Sequence, residues 1–243
     1  MPEKLQHEHP WNLSPQEARR LQKQLRAYIT IEALKEESIQ SVGGVDASFS
    51  EKRIYAAAVV LDYATLEPID QASTSEPLTF PYIPGLLSFR EAPAILSVLA
   101  RLKHLPDVLI VNGHGYAHPR RFGIACHLGV LLDLPTIGLA KSILVGYISS
   151  LSESKGSCAE LLEDDQLLGL ALRTRTNIKP VYLSIGHRVD LSSAVRIVLH
   201  CSRGYRLPQP ARLAHQLASK HKELMEEQIR NPSIENLEKG ILS

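Results

Sequence analysis

The sequence has few cysteines, no long hydrophobic run and almost no net charge, and each of these absences excludes a class of protein. Its three cysteines (Cys126, Cys158 and Cys201) are odd in number and far apart, which argues against a disulfide scaffold, and no CxxC pair indicates a zinc site. No apolar run approaches the ~20 residues that a membrane-spanning helix needs. The amino terminus lacks the charged-then-apolar layout of a signal peptide. We therefore expect a cytoplasmic protein in a reducing compartment, without a membrane partner.

The formal net charge is only +1, so the overall charge does not indicate a nucleic-acid-binding protein. If the chain binds a nucleic acid, its positive charge must be concentrated locally.

The 243 residues, 44% of them hydrophobic, are enough for one large domain with a core of its own. Because no repeat, low-complexity stretch or linker interrupts the chain, we predict a single domain over residues 1–243. We expect a monomer, with a mobile tail after about residue 230.

The hydrophobic pattern predicts a mixed α/β protein. A long amphipathic helix is predicted over residues 14–38, with Ser14 as its N-cap and Glu17 completing a capping box. Strands are predicted over residues 41–49, 54–62, 66–75, 108–111, 136–140, 167–173 and 180–184. Further helices are predicted over residues 88–102, 122–132, 190–200 (with Asp190 as N-cap) and 209–227. The polar segment 149–165 is predicted to be a loop, and Gly186 a turn. Three early strands in a meander, followed by strands alternating with helices, predict a mixed sheet flanked by helices.

The most informative segment is NGHGYAHPRR, residues 112–121, which directly follows the apolar run 108–111. A strand therefore ends in a turn that holds two glycines, two histidines and two arginines. Glycine lets the backbone come close to a ligand, and His118, Arg120 and Arg121 offer hydrogen-bond donors to phosphate oxygens. This combination favours a site for a phosphate-bearing ligand.

Two carboxylates and one amide are candidates for a metal site. Asp46 lies inside an apolar strand, where a carboxylate is costly unless a partner or a metal ion neutralises it. Glu91 opens a helix after the loop 80–85, where a negative charge is also favourable without any ligand. Asp46 and Asn112 could lie side by side on adjacent strands. With Glu91 they would form a cluster of oxygen ligands suited to magnesium or manganese, although a structural role for each residue stays open.

Taken together, five ordered segments of the chain resemble the endonuclease V family, whose members cleave nucleic acid near deaminated adenine. The resemblance spans roughly residues 11–219. The segments are GGVD at 43–46, PYIPG at 81–85 with SFRE at 88–91, GHGYAHPR at 113–120, GLAKS at 138–142 and GYRLPQP at 204–210. Five blocks in order are far more specific than a single glycine motif. The resemblance implies a ribonuclease-H-like fold, a mixed five-stranded sheet with helices on both sides.

The resemblance also implies an activity and a cofactor. The reaction would be metal-dependent cleavage of the second phosphodiester bond on the 3′ side of a deaminated base, leaving 3′-hydroxyl and 5′-phosphate ends. Magnesium would be the cofactor, and manganese could substitute for it. The partner would be inosine-containing DNA, with RNA left open because the sugar 2′-hydroxyl decides that choice.

Site residues follow from the same matches. Asp46 and Glu91 match the family's metal ligands, and Asn112 stands where the family carries its third catalytic aspartate. The remaining catalytic candidates are Lys141, His118 and His215. The matched wedge, an aromatic on a proline-stiffened loop that fills the gap left by an extruded base, comprises Pro81, Tyr82, Ile83 and Pro84. The matched base pocket comprises Leu87, Gly113, Gly115, Ile124 and Gly138. Candidate contacts to the phosphate backbone are Arg120, Arg206 and Arg212.

Asn112 departs from the family pattern. An amide cannot supply the negative charge of a carboxylate, so we expect weaker metal binding and severely slowed cleavage. Either the natural aspartate was deliberately replaced, which we favour because the rest of the site matches, or the natural protein carries asparagine. The second explanation would make the protein a reader of inosine that does not cleave. A general nucleotide- or phosphate-binding domain is a third hypothesis, but it would not need Tyr82 on a stiff loop.

Overall fold

The computed structural model describes residues 5–231, so the predicted mobile tail lies outside the described residues except at its very start. Nine strands form one sheet in this part of the chain. The strands are β1 (Ser41–Phe49), β2 (Arg53–Asp62), β3 (Pro68–Pro77), β4 (Val108–Asn112), β5 (Thr136–Ala140), β6 (Tyr147–Ile148), β7 (Cys158–Glu163), β8 (Gln166–Leu172) and β9 (Val181–His187). The α-helices are α1 (Pro15–Leu25), α2 (Leu87–Leu99), α3 (Ile124–Leu132), α4 (Leu191–His200) and α5 (Gln209–Arg230). None of these helices is long and apolar enough to cross a bilayer.

The sheet order is β3-β2-β1-β4-β5-β9-β8-β7-β6. The first three strands in the chain form the predicted antiparallel meander, whereas β1, β4 and β5 run parallel to one another. These five strands make the predicted five-stranded mixed unit. The sheet is larger than predicted because β9, β8, β7 and β6 extend it from the β5 edge, each antiparallel to its neighbour.

Helices cover both faces of the sheet, as predicted, and alternate residues of β4 show the two layers. Leu109 and Val111 pack into the core that contains α2 and α3. Val108 and Ile110 pack into the core on the opposite face, which contains α4 and the start of α5. Since side chains alternate along a strand, Asn112 projects on the same face as Val108 and Ile110. This face also receives α5.

A glycine controls how closely α5 can approach. A Cβ added to Gly44 would lie 2.3 Å from the backbone carbonyl carbon and oxygen of Pro210, in the first turn of α5. Any side chain at this position would push the helix away from β1. Gly44 therefore allows α5 to pack against β1, on the same face as Asp46, two residues further along the strand.

The predicted helix over residues 14–38 is wrong beyond residue 25. The capping box at Ser14 and Glu17 is present, but α1 ends at Leu25 and a 3-10 turn follows. The segment from Ile29 to Ile31 is rich in β-branched residues, which disfavour helix. It runs extended instead, with the Thr30 N–H bonded to His187 and the Thr30 carbonyl accepting from the Arg188 N–H.

The predicted loop over residues 149–165 is also wrong, because β7 forms within it. Ala159 and Leu161 are buried whereas the intervening Glu160 is exposed, so the strand alternates despite its polar composition. Asp164 and Asp165 both have positive φ, which makes the tight turn into β8. Likewise Gly186 is not a turn: β9 continues through it to His187, pairing with β5.

Candidate active site

Adjacent strands bring Asp46 and Asn112 together. Val45 of β1 is in register with Val111 of β4, so the next residue of each strand projects beside the other. The Asn112 Nδ2 donates a hydrogen bond to Oδ1 of the buried Asp46 at 2.8 Å. The second carboxylate oxygen of Asp46 accepts from Nδ1 of His215, on α5, at 2.6 Å. Asp46 is thus held from both sides by neutral or protonatable donors.

Glu91 supplies a second buried carboxylate at this site. It is only 7% exposed and lies in the second turn of α2. Burial and, to a smaller extent, the negative charge of Asp46 together raise the pKa of Glu91 to about 8, against the opposing effect of Arg90. A cation bound here would offset the cost of ionising the buried Glu91 beside the charge of Asp46.

The residues present fit a hard cation by their chemistry, but incompletely. Asp46 and Glu91 offer carboxylate oxygens and Asn112 an amide oxygen, which are the ligand types that magnesium and manganese prefer. Within residues 5–231 no cluster of three His, Cys, Asp or Glu side chains is spaced to hold a metal ion. The third negative charge is missing, and the Asn112 amide occupies Asp46 Oδ1 with its own hydrogen bond.

The loop 80–85, called here the wedge loop, presents Tyr82 to solvent while the residues around it are fixed. Tyr82 is 70% exposed, whereas Ile83 packs on the buried cluster of Phe80 and Phe89. The Phe80 carbonyl accepts a hydrogen bond from Arg90 at 2.8 Å. Flanking prolines restrict the loop backbone further. An exposed aromatic on a restrained loop fits the predicted wedge.

A cavity of about 290 Å³ opens beside the wedge loop, at the small end of the size range of ligand pockets. Its lining joins the wedge loop, the ends of β4 and β5 and the start of α3. The site candidates that line it are Tyr82, Ile83, Pro84, Leu87, Asn112, Gly113, His118, Ile124 and Lys141. The structure therefore brings most of the predicted wedge and base-pocket residues to one cavity.

Pro81, Gly115 and Gly138 do not line this cavity. The two glycines are packed behind it instead. A Cβ on Gly138 would lie 2.3 Å from the Gly115 nitrogen, and a Cβ on Gly115 would lie 2.0 Å from the Ile185 carbonyl oxygen. Both positions require glycine so that β5, β9 and the turn after β4 can approach one another. They fix how closely the elements that line the cavity approach one another.

The three arginines predicted to contact phosphates are all engaged within the protein. Arg120 donates to Gln22 and to the Gly85 carbonyl. Arg206 donates to the carbonyls of Lys141 and Pro180. Arg212 donates to Gln209 and Gln216, and its guanidinium lies 4.4 Å from the centre of the Tyr205 ring. These contacts make each arginine at least partly structural.

Lys141 and His118 differ in how available their polar atoms are. Lys141 is exposed at the end of β5, where the Arg206 contact holds its backbone carbonyl. His118 is buried, and both ring nitrogens have partners: Nε2 donates to the Gly85 carbonyl at 2.9 Å, and Nδ1 accepts from the Arg120 N–H at 3.2 Å. Burial, together with the charge of Arg120, lowers the pKa of His118 to about 3.

Three polar residues of the cavity lining, besides Ser142, were not predicted as site residues. Gln22 comes from α1, Ser88 from the first turn of α2, and His114 from the glycine-rich turn. The Ser88 hydroxyl and His114 Nδ1 are buried without a partner among the described residues, and burial lowers the pKa of His114 to about 4. His114 could have been found from its place between two glycines, whereas Gln22 carries no local signal.

Comparisons with known proteins point to one family. The family model of endonuclease V matches residues 23–216. The endonuclease V of Gloeobacter violaceus is 54% identical over 212 residues, covering 85% of this chain and 86% of that protein. The crystal structure of endonuclease V from Streptomyces avermitilis has a TM-score of 0.85 at 40% identity, covering 89% of this chain and 96% of that one.

A third similar structure contains nucleic acid. It is an aspartate-to-asparagine variant of Ciona intestinalis endonuclease V in complex with a 23mer DNA that contains an inosine followed by a ribo-adenosine. Its TM-score is 0.77 at 26% identity, covering 88% of this chain and 100% of that one. These likenesses confirm the ribonuclease-H-like fold class. Because the family model spans most of the sequence and the relatives match along nearly their whole length, the chain belongs to the endonuclease V family.

Proposed function

We propose that this chain is a metal-dependent endonuclease for deaminated adenine in nucleic acid, and that Asn112 impairs its cleavage. The reaction is hydrolysis of the second phosphodiester bond 3′ to the inosine, which leaves 3′-hydroxyl and 5′-phosphate ends. The observation that carries this proposal is the position of the exposed Tyr82 at a cavity whose lining also includes Asn112, the partner of Asp46. A base displaced by the aromatic could enter the cavity while its strand passes the carboxylates.

The substrate class is supported by the cavity and by a relative. The cavity is small, and two residues of its lining carry a buried polar atom without a partner among the described residues, Ser88 Oγ and His114 Nδ1. The Ciona protein binds DNA that contains inosine. DNA is therefore the first strand to test, and RNA the second.

The cofactor of this proposal is Mg²⁺, with Mn²⁺ as a substitute, held by Asp46, Glu91 and the amide oxygen of Asn112. When bound, such an ion activates water and stabilises charge on the phosphate. His215 orients Asp46 through its Nδ1–H, and the ammonium of Lys141 attracts the negatively charged strand at the cavity rim. Asn112 opposes the cation, because its amide hydrogen competes for Asp46 Oδ1 and it adds no charge of its own.

The experiment compares the chain with its Asn112→Asp variant on labelled inosine strands, DNA and RNA in parallel, with Mg²⁺ or Mn²⁺. A loss of several kcal/mol of transition-state stabilisation through Asn112 means at least about a hundredfold slower cleavage, since each ~1.4 kcal/mol is tenfold in rate. We expect the variant to cut one bond beyond the linkage next to the inosine, and the parent chain to cut far more slowly.

The second candidate function is an inosine reader that does not cleave. The hydrogen bond from Asn112 to Asp46 favours it, because the amide satisfies the carboxylate without a metal ion. If neither the parent nor the Asn112→Asp variant cuts while both bind inosine strands, the reader is correct and the metal-site proposal fails. If neither protein distinguishes inosine from adenine strands, both candidates are wrong.

A further inference from the structure

One backbone carbonyl at the end of the wedge loop receives three hydrogen bonds. The Gly85 oxygen accepts from Nε2 of Gln22 at 3.1 Å, from Nε2 of His118 at 2.9 Å and from Nη2 of Arg120 at 2.5 Å. A carbonyl oxygen has two lone pairs, so three charged or neutral donors saturate it. Gly85 itself has φ of +77°, a conformation that L side chains rarely adopt. The carboxyl end of the wedge loop is therefore fixed by side chains from other parts of the chain.

Gln22 connects all parts of this arrangement. It is 1% exposed, and its Nε2 donates to the Phe122 carbonyl at 3.0 Å as well as to Gly85. Its Oε1 accepts from Nε of Arg120 at 2.6 Å. Both ends of the amide are therefore used, which is required of a buried polar group. One side chain of α1 thus joins the wedge loop to the segment that leads into α3.

The histidine of the arrangement acts as a fixed donor. Because the Gly85 carbonyl can only accept, the hydrogen of the neutral ring lies on His118 Nε2. Nδ1 then accepts a hydrogen bond from the backbone N–H of Arg120. Burial and the neighbouring Arg120 keep the pKa of this ring near 3. His118 is thus neutral at physiological pH, and neither ring nitrogen is available to exchange a proton with a substrate.

We infer that Gln22, with His118 and Arg120, forms a positioning group that fixes Gly85 and thereby holds Tyr82 ready at the cavity. This inference rests on the proposed function, because it assigns Tyr82 the part of a wedge. It changes the expectation for His118 and Arg120, which act through the wedge loop rather than on the phosphate. It also gives α1 a part in recognition, although α1 lies far from the carboxylates in sequence.

The first test is the Gln22→Met variant, which keeps the length of the side chain but removes its donors and acceptor. The matched control is Gln24→Met, on the exposed face of the same helix. The measurement is the ratio of affinities for an inosine strand and an unmodified strand, by fluorescence anisotropy in Ca²⁺. Losing one buried hydrogen-bonding group predicts an about tenfold lower ratio for Gln22→Met and an unchanged ratio for Gln24→Met. Equal ratios for all three proteins would overturn the inference.

The second test separates positioning of the wedge from a general loss of structure. Residues that act as a unit have non-additive effects in a double-mutant cycle. If Gln22 acts through Tyr82, then Gln22→Met should lower the affinity ratio in the parent chain but have little effect in a Tyr82→Ala background. A merely structural role would lower binding of both strands alike and would be additive with Tyr82→Ala.

The cycle also distinguishes the two proposals. If Tyr82→Ala lowers the ratio and Gln22→Met does not, the wedge stands and the positioning group is wrong. If Tyr82→Ala itself leaves the ratio unchanged, the wedge assignment fails, and the positioning group fails with it. Should Gln22→Met not fold, Arg120→Lys serves in its place. It keeps the positive charge but loses the forked guanidinium that spans Gln22 and Gly85.

Discussion

Asn112 donates the hydrogen of its amide to Asp46 across 2.8 Å, so the carboxylate that would hold a metal ion is already satisfied by a neighbouring strand. Both carboxylate oxygens of Asp46 therefore have hydrogen-bond partners without a metal ion. A hydrogen bond to a charged group contributes about 1.5–3 kcal/mol. Any cation that binds Asp46 Oδ1 has to replace this bond.

Replacing Asn112 with aspartate should make the stability of the fold depend on metal. Without metal, the variant brings a second carboxylate against Asp46, and we expect it to be less stable than the parent by about 2–4 kcal/mol. With Mg²⁺ or Mn²⁺ most of this loss should be recovered, because a ligand that binds only the folded state stabilises it. The measurement is thermal unfolding in chelator and in each metal.

The control for that experiment is Asn12→Asp, which adds the same charge at an exposed position. It should change neither the stability nor its metal dependence. If Asn112→Asp is as stable as the parent in chelator, then the two strands do not hold the carboxylates in the opposed arrangement described above.

Buried neutral histidines should make the fold less stable in mild acid. The pKa of His118 is lowered to about 3 and that of His114 to about 4, both mainly by burial, and burial places the pKa of His127 well below its ordinary value. In the unfolded chain these rings take up protons below about pH 6.5. The folded state binds fewer protons than the unfolded state in that window, so stability is complete above pH 6.5 and falls as the pH falls.

The expected loss between pH 7 and pH 5 is about 2 kcal/mol each for His118 and His114. Glu91 acts in the opposite direction, because its pKa is raised to about 8 in the folded state. Its contribution to stability is complete below the pKa of a glutamate in the unfolded chain and is lost as the pH rises through 8. The decisive comparison is therefore His118→Gln, whose amide can still donate to Gly85. Urea unfolding at several pH values should show a shallower dependence for this variant, and an unchanged one for the exposed His104→Gln.

The sequence predicted the meander, the strands β4 and β5 of a mixed sheet and the layers of helices, because these depend on local hydrophobic periodicity. It also predicted that Asp46 and Asn112 lie side by side, since both belong to strands with a clear pattern. It did not predict the end of α1 at Leu25 or strand β7. Those depend on partners far along the chain, such as His187 for Thr30 and β8 for β7.

The same distinction holds within the site. Tyr82 and its prolines form a recognisable motif, whereas Gln22 is one of several polar residues on an amphipathic helix and gains its role only from contacts with Gly85, Arg120 and Phe122. For the arginines, the sequence motif leaves out contacts that only the fold shows. Arg206 and Arg212 look like phosphate ligands in sequence, but in the structure they hold carbonyl and amide oxygens of the protein.

Gly44→Ala should destabilise the fold by moving α5. The added Cβ would lie 2.3 Å from the Pro210 backbone, which cannot yield as a flexible side chain would, and overpacking of this kind costs about 1–3 kcal/mol or more. The same shift would lengthen the contact between His215 and Asp46. Urea unfolding measures the loss. Gly156→Ala is the control, because that glycine has a positive φ but no atom near its added Cβ, and it should cost only about 1–2 kcal/mol for backbone strain.

The last prediction concerns the chemical stability of Asn112, which is followed by Gly113 in a sequence prone to deamidation. The reaction requires the Gly113 nitrogen to attack the side-chain carbonyl carbon of Asn112. In the structure that N–H donates to the Leu139 carbonyl at 3.1 Å, and the Asn112 amide is held by Asp46. Both groups must leave their partners before they can react.

We therefore expect the folded protein to keep Asn112 intact during prolonged incubation in mildly alkaline buffer, while the urea-unfolded chain deamidates. Peptide mass analysis measures the mass gain at the peptide that contains Asn112. The cleavage assay on the same samples, after the urea-treated one is refolded, supplies a second readout, because the fraction that becomes aspartate rather than isoaspartate is the Asn112→Asp protein and would raise activity with Mg²⁺. Equal rates of mass gain in the folded and unfolded samples would mean that the end of β4 opens readily, and that the hydrogen bond between Asn112 and Asp46 does not hold the site closed to the reaction.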